Sequence, residues 1–193
     1  MKYRTILLFG APGAGKGTQG KIFGTIPGFF HCACGDVFRN LRIDSPIGRI
    51  FIEYSSRGQL VPDEQTVALW RQFIDGSTRA GQFHPEQDTL VLDGIPRNVN
   101  QAEMLKDTLD VLGIFYLSCT NFENLVRRLQ RRALRENRLD DASLEVIRER
   151  LKTYETETMP LLDYYGGELV HRIDADQPPA KVLVDILGKV IRT

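Results

Sequence analysis

The sequence predicts an α/β fold: three layers, with a parallel sheet of about five strands wrapped by helices. Two patterns carry that expectation. Short apolar runs are bounded by Gly, Asp or Ser, and longer stretches of helical periodicity separate them. A third observation, a glycine-rich loop directly after the first apolar run, gives the fold a chemical purpose.

Taken in order, Thr5 to Phe9 is the first strand, and strands are also expected at Thr89 to Leu92 and Ile114 to Leu117. Gly28 to Ala33 and Glu168 to Ile173 are weaker strand candidates. Parallel strands joined by helical crossovers are covered on both faces, so near-continuous apolar runs suit them. The final segment, Ala180 to Ile191, puts Val182, Leu183, Ile186, Leu187 and Val190 on one helical stripe after a Pro178-Pro179 start signal, and this helix should close the core. No repeat, low-complexity tract or linker marks a second independent unit. Residues 1–193 are therefore expected to form one domain, with any insertions as lobes on it.

Composition limits the partners. The 193 residues are 42% hydrophobic and 26% charged, ordinary for a globular domain, and Lys plus Arg total 25 against 25 for Asp plus Glu. No global field draws such a chain to nucleic acid or to an acidic membrane, so any basic site must be local. The basic, apolar start meets a glycine loop too soon for a signal peptide, and no stretch approaches a membrane span. Cys32, Cys34 and Cys119 are an odd, sparse set that suits a reducing compartment, so a cytoplasmic location is expected.

The loop Gly10-Ala11-Pro12-Gly13-Ala14-Gly15-Lys16-Gly17-Thr18 follows a strand and opens a helix, the context that a phosphate-binding P-loop requires. Glycines let backbone N–H groups turn inward around phosphate oxygens, and the helix adds its unpaired N–H groups and positive dipole end. Lys16 supplies a mobile charge for the β- and γ-phosphates. The usual hydroxyl residue after the lysine is displaced by one: Gly17 stands there, and Thr18 follows. The competing reading is a chance glycine-rich turn. Asp110 to Gly113 fits a DxxG pattern, but no NKxD-like segment exists to support a GTPase.

Phosphoryl transfer is catalysed almost entirely by positioning and charge neutralisation, so arginines should surround such a site. Arg128 and Arg132 lie four apart on one predicted helical face, and Arg138 follows. By itself an arginine-rich helix reads more readily as a solvated face. Asp93 ends a predicted buried strand, where a carboxylate is costly unless it faces a cation or the crevice at the strand ends; a turn-capping role is the alternative.

With these residues in view, the chain resembles the adenylate kinase family. The motifs are GAPGAGKGTQ (Gly10 to Gln19), CGDVFR (Cys34 to Arg39), GQLVPDE (Gly58 to Glu64), LDGIPRNVNQA (Leu92 to Ala102) and NRLDD (Asn137 to Asp141), in family order and including the Gly17 displacement. The resemblance implies a nucleoside monophosphate kinase of the short-lid type, acting with ATP, AMP and ADP and with magnesium, and commonly a monomer. It implies an acceptor-binding lobe at residues 35–62 and a lid at residues 132–141. That lid has neither the length nor the cysteines for structural zinc.

By the same resemblance, Gly13, Ala14, Gly15, Lys16, Gly17 and Thr18 hold ATP together with Arg128 and Arg132. Thr18 and Asp93 hold magnesium through water, which suits an ion that sheds its waters reluctantly. The acceptor site comprises Cys34, Arg39, Leu60, Val61, Gly94, Arg97, Gln101, Arg138 and Arg150. Arg39 and Arg97 fork onto the monophosphate, and Gln101 reads adenine through its amide. Without the resemblance, Gln101 would read as an exposed surface amide. The catalytic set is Lys16, Arg97, Arg128, Arg132, Arg138 and Arg150, while Arg127, Arg131, Arg135 and Arg148 are expected at the surface.

Departures from the family pattern bear on the acceptor base. Cys34 stands where adenylate kinases carry Thr and UMP/CMP kinases carry Ala, and Ile95 replaces an aromatic residue. One extra residue lies between Asp141 and Arg150. AMP is the expected acceptor, with UMP or CMP as the alternative and a nucleotide-binding regulator without turnover as a third reading. His31, Cys32 and Cys34 suggest a metal cluster, but strand alternation separates His31 from the two thiols and no fourth ligand is in view.

Overall fold

The computed structural model describes residues 2–136, 138, 141 and 143–190. Five strands form one sheet: β1 Tyr3–Gly10, β2 Phe29–Ala33, β3 Thr89–Asp93, β4 Leu109–Ser118 and β5 Val170–Asp174. All pairings are parallel, and the order across the sheet is β2-β3-β1-β4-β5. The helices are α1 Lys16–Phe23, α2 Cys34–Arg39, α3 Pro46–Ser55, α4 Asp63–Arg79, α5 Val99–Leu105, α6 Phe122–Glu136, α7 Leu144–Thr153, α8 Pro160–Tyr165 and α9 Pro179–Val190.

Side-chain alternation along the strands divides the core into two layers. Leu7 and Phe9 of β1, with Leu90 and Leu92 of β3, pack beneath Val67, Trp70 and Ile74 of α4 and Leu105 of α5. Ile6 and Leu8, with Val91 and Phe115, face the other way and meet Phe23 of α1, Leu125 and Leu129 of α6, Ile147 of α7 and Ile186 of α9. The expected three-layer parallel fold is therefore the observed one.

The expected elements shift at their ends. Gly28 lies outside β2 at φ 83, a turn conformation, and β5 starts at Val170 because Gly167 to Leu169 form a turn. The edge strands β2 and β5 are covered less completely than β1 or β3, so not every strand is buried on both faces. Cys34 does not continue β2 but opens α2, which takes it out of strand alternation with Cys32. His31 turns its ring toward Gly20 of α1, where a Cβ would lie 2.2 Å from Nε2. Among the described residues no three His, Cys, Asp or Glu side chains gather into a metal cluster. The last helix starts at Pro179, as the diproline signal suggests, and Ile191 lies outside the described residues. No helix of the described residues is long and apolar enough to cross a membrane.

The strand order sets the crevice. The chain leaves β1 toward β2 on one side and later crosses to β4 on the other, and ligand sites in open α/β sheets lie at such a reversal, outside the carboxyl ends of the strands. Gly10 ends β1 there, Asp93 ends the neighbouring β3, and Ala33 ends β2.

Candidate active site

A cavity of about 570 Å³ occupies that crevice. Among the described residues, its wall carries Lys16, Lys21, Arg39, Arg97, Arg128, Arg132, Arg135, Arg138 and Arg150 against Asp36, Asp93 and Glu136. A chain with no net charge has thus concentrated its cations in one place, and such a cleft attracts anions.

The glycine loop forms one end. Gly13 and Gly15 sit at φ 87 and φ 102, and Gly15 is the residue from which α1 springs. Side chains rarely adopt that left-handed backbone, so the glycines make the inward turn possible. The N–H groups that open α1 have no carbonyl of a preceding turn to meet, apart from that of Thr18, which donates to the Gly15 carbonyl at 3.0 Å. Lys16 Nζ folds over the loop and donates to the carbonyls of Gly10 (2.6 Å) and Ala11 (3.2 Å). Burial above all, with the nearby Arg97, Arg132 and Arg150 and against the opposing pull of Asp93, lowers the Lys16 pKa to about 8. Bringing phosphate oxygens into this cavity would relieve that crowding of positive charge.

Opposite the loop, α6 and α7 supply guanidinium groups. Arg128 donates to the Ala175 carbonyl at 3.2 and 3.3 Å through its two terminal nitrogens. Arg132 donates through Nε (2.8 Å) and a terminal nitrogen (2.6 Å) to one oxygen of Asp141, whose other oxygen accepts from Arg150. The Asp141 side chain is fully buried between these two cations. Removing one partner of such a buried pair costs about 3–5 kcal/mol, so Asp141 holds both arginines firmly at the cavity wall. Arg138 donates to Glu136 at 2.6 Å and approaches Asp36 of α2 at 3.8 Å, linking the end of α6 to the other side of the cleft. Asn137, Leu139 and Asp140 lie outside the described residues, and Arg132–Glu136 of the expected lid are still part of α6.

The far end is built from α2, α4 and the β3–α5 connection. Arg39 pairs with Asp36 of its own helix, and a Cβ at Gly35 would come within 3.0 Å of the Arg39 guanidinium. Burial would raise the Asp36 pKa, but the bond and charge of Arg39, aided by Arg138 and Lys21, hold it below the usual range. Arg97 is clamped along its backbone: its N–H donates to Gln101 Oε1 at 2.8 Å, and its carbonyl accepts from Thr158 Oγ1 at 2.7 Å. Its Nε donates to the Gly94 carbonyl at 2.9 Å, where φ 79 and the missing side chain leave room for the guanidinium. Thr158 closes a π-helical turn, Tyr154–Thr158, between α7 and α8, a rare geometry that recurs at functional sites.

Gln101 is 1% exposed, not the surface amide its helical position alone suggests, yet it lines the cavity. Its Nε2 donates to Asp63 at 2.7 Å. Leu60, Val61 and Cys34 complete this wall. Burial pushes the Cys34 thiol up to about 11, with Asp93 adding to the effect and Arg97 and Arg39 opposing it, so the group is neutral at physiological pH.

The cavity therefore brings together every residue named from the sequence as a candidate: Gly13 through Thr18, Cys34, Arg39, Leu60, Val61, Asp93, Gly94, Arg97, Gln101, Arg128, Arg132, Arg138 and Arg150. Arg127, Arg131 and Arg148 are exposed and away from its wall, whereas Arg135, also exposed, rims it. Sequence reasoning missed Gln19, Phe38, Phe51, Thr66, Thr158, Gln177 and Pro179, which also line it, and Asp63, which holds Gln101. Asp63, Gln19 and Phe38 were within reach, since they sit in the GQLVPDE, GAPGAGKGTQ and CGDVFR motifs; the others carry no local signal.

Comparison with known proteins agrees with this geometry. The family model for adenylate kinase matches residues 8–170. Among curated relatives, an adenylate kinase of Cyanothece sp. is 39% identical over 94% of this chain and 92% of its own length. One from Thermobifida fusca is 38% identical over 92% and 93%, and one from Parabacteroides distasonis 37% identical over 86% of each. A parallel sheet with a glycine loop at its reversal, an arginine-lined cleft, and a match of this extent lead to one conclusion: the chain belongs to the adenylate kinase family.

Proposed function

We propose that this enzyme transfers the γ-phosphoryl group of ATP reversibly to AMP, giving two ADP. The observation that carries the reading is the single cavity with cations at both ends: Lys16 in the glycine loop, and Arg39 and Arg97 across from it. A site that only bound a triphosphate would need no second cationic end. In this reading the loop and Lys16 hold the β- and γ-phosphates, with Arg128 and Arg132 beside them. Arg39 and Arg97 hold the acceptor phosphate in line, and Arg132, Arg138 and Arg150 neutralise charge on the group in transit. The segment 35–62 acts as the acceptor lobe and residues 132–141 as the lid, whose closure excludes water as a competing acceptor.

The residues present suit magnesium. A Cβ at Gly17 would be 3.5 Å from Asp93 Oδ2, so this carboxylate faces the glycine beside Thr18 with space between. One carboxylate and one hydroxyl match an ion that keeps its waters and takes its other ligands from phosphate. When bound, the ion would draw charge from the phosphate oxygens. We also read the enzyme as a cytoplasmic monomer.

The test is a complete product balance. Purified protein with ATP, AMP and magnesium should form two ADP for each ATP consumed, and should run backward from ADP. ATP binding without transfer to any nucleoside monophosphate would refute an enzymatic role, and ATP hydrolysis as fast as transfer would refute the closure.

A further inference from the structure

A glutamine amide, taken alone, is ambiguous: turning its end by half a rotation exchanges donor and acceptor. In this protein both ends are anchored. Gln101 Nε2 lies 2.7 Å from Asp63 Oδ1, and Oε1 lies 2.8 Å from the Arg97 backbone nitrogen. A carboxylate can only accept and a backbone N–H can only donate, so the neighbours themselves dictate which end is which. Asp63 is in turn held. Asn98 Nδ2 donates to both its oxygens, at 3.0 and 3.1 Å, and Asn100 Nδ2 donates at 2.8 Å. It also begins the 17-residue helix α4, where the helix dipole favours negative charge. Asn98 caps α5 as well, accepting from the Gln101 N–H at 2.8 Å, so the backbone beneath the amide is fixed by the same group.

We propose that Asp63 is a specificity-determining positioning residue, which locks the Gln101 amide so that the acceptor site takes 6-amino bases and rejects 6-oxo bases. This rests on the reading that Gln101 faces the acceptor base. The locked amide keeps one Nε2–H and one Oε1 lone pair to offer. A 6-aminopurine presents the complement, a ring nitrogen that accepts and an exocyclic amine that donates. A 6-oxopurine presents the reverse, N–H and C=O. Binding it in the same pose would require the flipped amide, with Oε1 against the Asp63 carboxylate and Nε2 against the Arg97 N–H. Two buried hydrogen bonds would be lost and two like contacts made, and sites built on hydrogen bonding discriminate strongly for this reason. Cytosine shares the adenine polarity, so the lock cannot reject CMP.

An Asn at position 63 could donate to a flipped Gln101, and the lock would open. The experiment measures kcat and KM for AMP, IMP and CMP, with ATP as donor, in wild type, Asp63→Asn, Asp63→Ser and Gln101→Leu. The AMP-over-IMP ratio of kcat/KM should fall at least about tenfold in both Asp63 variants, the scale of one buried hydrogen bond. The loss should appear mainly as a raised KM for AMP, and the AMP-over-CMP ratio should change much less. A general loss of structure would lower all three acceptors together. Unchanged AMP-over-IMP ratios in both Asp63 variants, with a reduced ratio in Gln101→Leu, would overturn the lock and leave Gln101 as base reader. Unchanged ratios in all three variants would overturn the reading of Gln101 itself.

Discussion

The two ends of the cavity recognise by different means. At the glycine loop, recognition rests on backbone and charge: positive-φ glycines, the start of α1, and Lys16 held on the carbonyls of Gly10 and Ala11. At the far end it rests on a network of neutral and anionic groups, with Asp63, Asn98 and Gln101 bonded to one another beside Arg97. The first arrangement suits phosphate, which every nucleotide carries. The second suits bases of adenine's hydrogen-bond polarity. On the proposed function, affinity and selectivity belong to separate parts of this cleft, and substitutions at the two ends should fail in different ways.

The largest effect is expected at the loop. Lys16→Met should lower kcat by about a hundred- to a thousandfold, the scale of losing one charge-stabilising donor, while circular dichroism and Tm stay near wild type. Near-normal turnover would place the transferring phosphate elsewhere. At the far end, Thr158→Val should cost about tenfold in kcat/KM for AMP by freeing the Arg97 carbonyl, the scale of one buried hydrogen bond. Thr158→Ser should restore most of it, and ATP KM should stay unchanged in both. Near-normal kcat/KM for AMP in Thr158→Val would show that the hydroxyl's bond to the Arg97 carbonyl is not what holds the arginine.

The loop should also respond to pH in a way the base-reading end does not. Since Lys16 titrates near 8 in the empty enzyme, ATP affinity should fall as pH rises through 8, and Lys16→Met should flatten that dependence. Stability carries the opposite sign. Between about pH 8 and the ordinary lysine value of 10.5, the unfolded chain holds a proton that folded Lys16 lacks, so the cost of burying the charged Lys16 is progressively relieved and stability rises across that window. ATP titrations and denaturant melts on both proteins separate the two trends. An effect on stability alone lies behind the loop, where Gly20→Ala would press a methyl into His31. A loss of about 1–3 kcal/mol is expected from such overpacking, and His31→Ala in the same chain should recover most of it. Additive losses would show that the two residues do not meet.

The same contrast explains what could be read from the sequence. The loop is contiguous, and its glycines, lysine and strand–helix context have one physical meaning, so it was legible without any relative. The apolar centres of β1, β3 and β4 were legible too, because parallel strands are covered on both faces there, whereas β4 begins at Leu109, five residues before the run read from the sequence, and passes through exposed Asp110. The edge strands were read one or two residues too long because half-covered strands blend into their turns. The far end was legible only through resemblance. Asp63 and Gln101 are 38 positions apart and meet only because α4 and α5 start side by side. Thr158 reaches Arg97 across 61 positions. A buried amide and an exposed one look alike in a linear sequence; what separates them is the network around it, and that network is tertiary.

The division between a phosphate-binding end and a base-reading end is tested most directly by an acceptor panel. With ATP fixed as donor, initial rates are measured for AMP, CMP, UMP and GMP across a range of concentrations. The account predicts that AMP outpaces UMP and GMP, whose bases present the reversed polarity, by a wide margin in kcat/KM. Equal or greater kcat/KM with UMP or GMP would contradict it.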